Sequence, residues 1–156
     1  MTFRSVLRML PVLAVAVLSS CASKPQGFTK VKIYRLNPSV KVTAVDPSIP
    51  FEQEHLLHGA VTTLEREARR GNYYTFFWNA RDTAQPAKIR FEYLQSATGF
   101  QKKQQLLEIP KVSRSNITKI QVTGDEYIKD GKILAWCATL IQGGKEIAQE
   151  KSALWE

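Results

Sequence analysis

The chain contains two histidines, His55 and His58, which are three residues apart. If this stretch is helical, residues at that spacing share a face, so both imidazoles could contact one metal ion. A zinc site would need a further ligand, such as the nearby carboxylate of Glu52 or Glu54. The pattern is not the His-Glu-x-x-His motif of zinc hydrolases. We therefore expect no metal or cofactor, and keep a metal-dependent hydrolase that uses His55 and His58 as an alternative.

Other catalytic patterns are missing from the sequence. It has no Gly-x-Ser-x-Gly, no Ser-x-x-Lys and no glycine-rich phosphate loop. Cys137 lies within the apolar segment 133–141, where we expect a buried thiol, because a reactive thiolate needs a base and an accessible setting. Asp125 and Glu126 precede the pair Asp130-Gly131 and are expected to be solvated turn residues. We predict no catalytic residue and no enzymatic activity.

Alternating apolar and polar residues predict β-strands over 30–36, 40–45 and 88–94. The aromatic run 72–78 predicts a central strand covered on both faces; a carbohydrate-binding platform is the alternative. The segment 133–141 is nearly all apolar and indicates another central strand. Further strands are predicted over 100–109, 117–122 and 147–155. The first of these is rich in Gln and Lys, which indicates an exposed edge that could accept a partner strand.

Two glycine-containing pairs, Asp130-Gly131 and Gly143-Gly144, predict hairpin turns because such turns need positive φ. Residues 53–71 leave two alternatives. Their apolar spacing suits a helix that Gly71 would cap, whereas Val61, Thr62 and Thr63 suit a strand pair.

The strand spacing predicts a mainly β, antiparallel sandwich. It resembles an immunoglobulin-like or fibronectin type III-like sandwich, with Trp78, Trp136 and Trp155 as the residues that would fill the space between the sheets. The inter-sheet disulfide of immunoglobulin domains is absent, since Cys137 has no second cysteine in the domain to pair with.

The N-terminus has a different character. Arg4 and Arg8 precede the apolar run 9–18, which is long enough for a secretion signal and too short to span a bilayer. The following Leu18-Ser19-Ser20-Cys21 resembles the processing box of bacterial lipoproteins. The resemblance implies cleavage between Ser20 and Cys21, and acylation of Cys21 by chains such as palmitate. In this family an Asp directly after the cysteine commonly retains the protein in the inner membrane. This chain has Ala22 there, which implies the outer membrane if the host has two membranes.

These features predict three regions: residues 1–20 as a signal peptide, 21–27 as a lipidated cysteine and short tether, and 28–156 as one sandwich domain. The tether would hold the domain close to the bilayer, which is the periplasmic face of the outer membrane if the host is Gram-negative. Removal of residues 1–20, which contain Arg4 and Arg8, lowers the net charge from +8 to +6, and this charge suits an anionic bilayer. Export argues against nucleic acid as a partner.

Basic residues recur in the second half of the domain. We expect them to form a solvated surface, with contact to lipid headgroups or cell-wall carboxylates as the alternative; they are Lys102, Lys103, Lys111, Arg114 and Lys119. The sequence as a whole predicts a membrane-anchored envelope lipoprotein with a non-catalytic binding or assembly role and an envelope protein as partner. The alternatives are the hydrolase above and a carrier or sensor of a small ligand.

Overall fold

The computed structural model describes residues 25–40 and 46–155, and this part of the chain is mainly β. Its seven strands are β1 (Gly27–Leu36), β2 (Gly71–Asn79), β3 (Ala87–Gln95), β4 (Lys102–Ile109), β5 (Ser115–Thr123), β6 (Ile133–Gln142) and β7 (Lys145–Lys151). Its three helices are α1 (Ser48–Leu57), α2 (Thr63–Ala68) and α3 (Gly124–Asp130). The predicted strand over 40–45 lies almost wholly outside the described residues.

The strands form two antiparallel sheets, ordered β1-β2-β5 and β4-β3-β6-β7. The predicted antiparallel β-sandwich is confirmed. The strands β2 and β6 are central, and β4 is an edge strand, as the sequence predicted. In the immunoglobulin constant-type sandwich the fourth strand extends the sheet of the first, second and fifth strands. Here it pairs with the third strand instead.

Aromatic rings fill the space between the sheets. From β2, Tyr74 and Phe76 point inward and meet Phe91 of β3 and Trp136 of β6, with ring centroids 4.9 to 6.1 Å apart. The indole of Trp78 is also buried, and its Nε1 donates a 3.0 Å hydrogen bond to Oγ1 of Thr118. Each inward residue alternates with an outward one, which is why the period of two identified these strands.

The described part of the connection between β1 and β2, residues 37–40 and 46–70, contains helices and no strand pair. Gly59 has a φ of +83° and lies between α1 and α2. Thr62 begins α2 with a capping box, in which Thr62 and Glu65 bond each other's backbone N–H. Gly71 does not cap a helix but opens β2. Its missing side chain is required there, because a Cβ would collide with the carbonyl oxygen of Val122 on β5.

The connection between β5 and β6 also differs from the prediction. Asp130-Gly131 does not form a hairpin turn, because β5 and β6 belong to different sheets and α3 joins them. Gly131, with a φ of +82°, follows the last residue of this helix. Gly143-Gly144 does form the predicted hairpin turn, between β6 and β7.

The two ends of the sandwich differ in construction. One end, which we call the tether end, carries the first residues of β1 and the connections 80–86, 110–114 and 143–144. The opposite end, which we call the helical end, carries all three described helices, the turn 96–101 and residues 152–155. Strands of about nine residues separate the two ends by about 30 Å.

Trp155 is not part of the core, contrary to prediction. The chain leaves β7 at the helical end, where Ser152 and Trp136 exchange backbone and side-chain hydrogen bonds. The half-buried ring of Trp155 then lies 4.8 Å below the ammonium of Lys102, at the start of β4. A cation–π contact therefore holds the C-terminal residues against the four-stranded sheet.

Candidate functional site

The predicted lipidation and cleavage residues, Cys21 and Ser20, lie outside the described residues. Description begins at Pro25, which lines a shallow depression together with Thr29, Phe77 and Ile117. The chain therefore enters the domain at the tether end, beside the outward face of the three-stranded sheet. No helix among the described residues is long and apolar enough to cross a membrane.

The two histidines do not share a helix face. His55 lies in the last turn of α1, where its ring stacks on Phe51 with centroids 6.5 Å apart. His58 follows the end of that helix with extended backbone, and its carbonyl accepts a 2.7 Å hydrogen bond from Arg69. Over 25–40 and 46–155, no three His, Cys, Asp or Glu residues come together in a group that could hold a metal.

Cys137 is a buried thiol, as predicted. Its side chain is 1% exposed, on the outward face of β6 beneath neighbouring side chains. Burial raises the pKa of this thiol, which favours its uncharged form. The residue packs as a small hydrophobe and does not present a nucleophile to solvent.

The aromatic strand β2 is covered on one face only. Tyr74, Phe76 and Trp78 are buried in the core, but Tyr73 and Phe77 on the other face are only half-buried. The hydroxyl of Tyr73 donates to the carbonyl of Arg69, and the ammonium of Lys32 lies over the ring of Phe77. The prediction that both faces are covered is therefore wrong for the outward face.

The predicted basic cluster is not one surface. Lys102 and Lys103 lie on β4, Lys119 lies on β5 in the other sheet, and Lys111 and Arg114 lie in the connection between these strands. Residues that are close in sequence are here on different surfaces, because β4 and β5 belong to different sheets.

Lys103 joins a polar network under α3. Its ammonium contacts the carboxylates of Glu126 at 3.1 Å and Asp130 at 2.5 Å. The hydroxyl of Tyr93 donates a 2.7 Å hydrogen bond to the same Glu126 carboxylate and accepts one from Gln105. Glu126 is therefore not a solvated turn residue, and this network holds α3 against the four-stranded sheet.

This network predicts a loss of stability at high pH. Burial, together with the hydrogen bond to Glu126, raises the pKa of Tyr93 to about 12. Because folding favours the neutral phenol, its contribution is complete below about pH 10, the pKa of an unfolded tyrosine, and is lost between about pH 10 and 12. We expect the free energy of unfolding, measured by urea titration, to fall over that range by on the order of 2 kcal/mol for this group.

Tyr93→Phe is the matched variant, since it removes the titrating hydroxyl and keeps the buried ring. Its stability should fall less steeply above pH 10 than that of the wild type. Part of the decline should remain, because burial also raises the pKa of Tyr74. Identical pH profiles for the two proteins would show that Tyr93 does not contribute.

The outward face of the three-stranded sheet is basic, and we call it the basic face. The three strands of this sheet contain no Asp or Glu. Strand pairing aligns Lys30 with Phe77 and Ile117, and aligns Lys32 with Thr75 and Lys119. The outward residues are Lys30, Lys32, Tyr34, Tyr73, Thr75, Phe77, Ile117, Lys119 and Gln121.

A second surface lies at the helical end, and we call it the apolar tip. It comprises Phe100, Ile128, Leu134 and Leu154. Phe100 is 97% exposed, and its turn is joined to the end of α3 by backbone hydrogen bonds from Ser96 and Ala97. Leu154 is 72% exposed and precedes Trp155, whose contact with Lys102 lies just beyond the same turn.

Helices α1 and α2 add further exposed apolar side chains at the helical end. Phe51, Val61 and Leu64 are each more than half exposed, and neither helix contributes a buried residue. By contrast, the connections 80–86, 110–114 and 143–144 at the tether end present no exposed large hydrophobic residue. Most of the exposed large hydrophobic residues thus lie at the helical end, and Ile117, beside the point where the chain enters the domain, is an exception.

Comparison of the chain with protein-family models, with curated proteins and with solved structures finds no match. The chemistry of the basic face and the apolar tip is therefore the basis for assigning a role. Sequence reasoning missed both surfaces. Residues 27–36 and 115–123 contain basic but no acidic residues, and this pattern was a usable signal for the basic face. The apolar tip depends on tertiary contacts between the ends of several strands.

Proposed function

We propose that this protein is a lipid-anchored lipoprotein of the cell envelope that binds another envelope protein and has no catalytic activity. The processing box Leu18-Ser19-Ser20-Cys21 supports the anchor. The observation that carries the binding role is the position of the apolar tip, at the end opposite the tether. A domain anchored at one end would present this tip away from its attachment point.

The chemistry of the tip suits a protein partner. Exposed large apolar side chains are costly in water and are typical of interaction surfaces when they cluster. Aromatic residues such as Phe100 are among those enriched in protein interfaces. The edge strand β4 begins beside the tip, and its unpaired backbone groups could add main-chain hydrogen bonds to a partner strand.

The interior supports a surface role over carriage of a small ligand. The rings of Tyr74, Phe76, Phe91 and Trp136 pack against one another between the sheets. The hydrolase alternative has no comparable support, because His58 lies beyond the end of α1 and does not continue the helix face of His55. We therefore favour recognition by the outer surface.

Crosslinking in living cells tests this proposal. Tagged wild-type protein, Phe100→Asp and Thr83→Asp would be crosslinked and purified, and captured proteins identified by mass spectrometry. Thr83 is an exposed residue at the tether end and supplies the same charge change away from the tip. We expect a specific membrane or periplasmic protein with the wild type and with Thr83→Asp, and its loss with Phe100→Asp. Equal capture by both variants, or capture of no specific protein, would contradict the proposal.

A further inference from the structure

We propose that the basic face lies against the anionic headgroups of the bilayer that holds the anchor. This inference rests on the lipid anchor of the proposed function and adds the orientation of the domain. We assign a lipid surface as the partner of this face for three reasons. Its lysine charges are unpaired, apolar side chains lie between them, and the chain enters the domain beside it.

The charge of this face is unbalanced. Lys30, Lys32 and Lys119 are all exposed, and none takes part in an ion pair among the described residues. The four-stranded sheet is different, because its outward face pairs Lys88 with Glu108 and Arg90 with Glu146. An anionic surface would therefore be attracted to the three-stranded sheet and not to the four-stranded sheet, where acidic side chains offset the basic ones.

Apolar side chains lie between these ammonium groups. Ile117 is 63% exposed, and Phe77 is half-buried beside it in the same row of the sheet. The ammonium of Lys32 lies 5.8 Å from the centroid of the Phe77 ring. Long lysine side chains can reach phosphates while their stems and an adjacent apolar residue contact the headgroup boundary. The basic face thus presents both ammonium groups for lipid phosphates and apolar side chains for the boundary of the headgroups.

The tether adds a geometric argument. Pro25 follows Cys21 by four residue steps, which span about 13 Å at full extension. Electrostatic attraction in physiological salt decays over about 8 Å. Since Pro25 lines the same depression as Phe77 and Ile117, the anchor would keep this part of the face within about two decay lengths of the bilayer charge.

An acidic residue at the helical end of the basic face limits how far its contact with the bilayer extends. Glu52 of α1 approaches Tyr34 closely enough to contribute, after burial, to a raised pKa of that tyrosine. Its negative charge would weaken attraction at the helical end. The contact is therefore centred on Lys30, Lys32, Ile117 and Lys119, and leaves the apolar tip on the other sheet's side accessible.

Fluorescence quenching in reconstituted vesicles tests this orientation. Acylated full-length protein carrying Ile117→Cys or Leu106→Cys would be labelled with a thiol-reactive fluorophore and placed in phosphatidylcholine vesicles, with or without phosphatidylglycerol. Both positions are exposed strand residues on outward faces, of opposite sheets. The thiol of Cys137 is buried and should not react. Vesicle flotation measures anchoring, and nitroxide-headgroup lipids quench labels near the surface.

With phosphatidylglycerol present, we expect about threefold stronger quenching of the label at 117 than of the label at 106, since basic residues near the surface are attracted to anionic lipids. The paired changes Lys30→Glu and Lys119→Glu should abolish this difference. Lys145→Glu with Lys151→Glu, on the exposed part of β7, changes the net charge equally and should preserve it. Flotation with equal quenching at both positions would overturn the orientation alone. Failure to float would overturn the anchor, and this inference with it.

Discussion

Cys21→Ala is expected to transfer the protein from the membrane fraction to the soluble fraction of the cell envelope and to abolish labelling by radioactive palmitate. Each buried CH₂ of an acyl chain contributes about 0.8 kcal/mol, and stable anchoring needs more than one chain. Several chains on a single cysteine would meet that need, and all of them depend on its sulfur or the new N-terminus. The basic face alone, with three lysines, would give only salt-sensitive attachment.

The matched control is Cys137→Ala, which removes the other cysteine and leaves the processing box intact. It should stay in the membrane fraction and keep its label. Membrane retention of Cys21→Ala in high salt, without palmitate labelling, would mean that another segment anchors the chain.

Phe76→Ala is expected to cost about 3–5 kcal/mol of unfolding free energy, the range for removal of a buried aromatic ring. Phe76 is fully buried at the centre of β2, and its ring lies within 5.5 to 6.2 Å of the rings of Phe28, Tyr74, Phe91 and Trp136. The cavity would open between the two sheets, where both contribute side chains. Domains of this size are stable by about 5–15 kcal/mol, so a substantial fraction could unfold.

Phe77→Ala, at the next residue, is the control for this effect. The Phe77 ring faces outward and is half-buried, so its loss should cost no more than about 1–2 kcal/mol. Urea unfolding followed by tryptophan fluorescence would measure both variants, because Trp78 and Trp136 are buried in the core. Equal losses for the two would show that the core is not where the structure places it.

The sandwich could be predicted because its strands are patterned by burial on one face. Ile89, Phe91 and Tyr93 alternate with charged residues, and the structure buries all three. The apolar segment that became β6 is buried along most of its length because both of its neighbours are strands. Alternation and composition are enough to predict a strand when the burial of each residue depends only on its position along that strand.

Other features depend on contacts that sequence order does not reveal. Asp130-Gly131 has hairpin composition, but α3 is stabilised by Lys103 and Tyr93, which belong to strands distant in sequence. Trp155 has the character of a core residue, yet the strand β7 ends before it.

The basic face was missed for a related reason. Lys32 and Lys119 are far apart in sequence and become neighbours only because both strands pair with β2 at Thr75. The register of a sheet is a tertiary property, and it decides which charges share a face.

The most direct test of the account is the mass of the mature N-terminal peptide. Trypsin cleaves poorly between Lys24 and Pro25, so protein from membranes should release a peptide spanning residues 21–30. We predict that this peptide begins at Cys21 and carries a diacylglyceryl group and an N-terminal acyl chain. A peptide that begins upstream of Cys21, or one in which this cysteine is unmodified, would contradict the lipid anchor on which the proposed function and the orientation both depend.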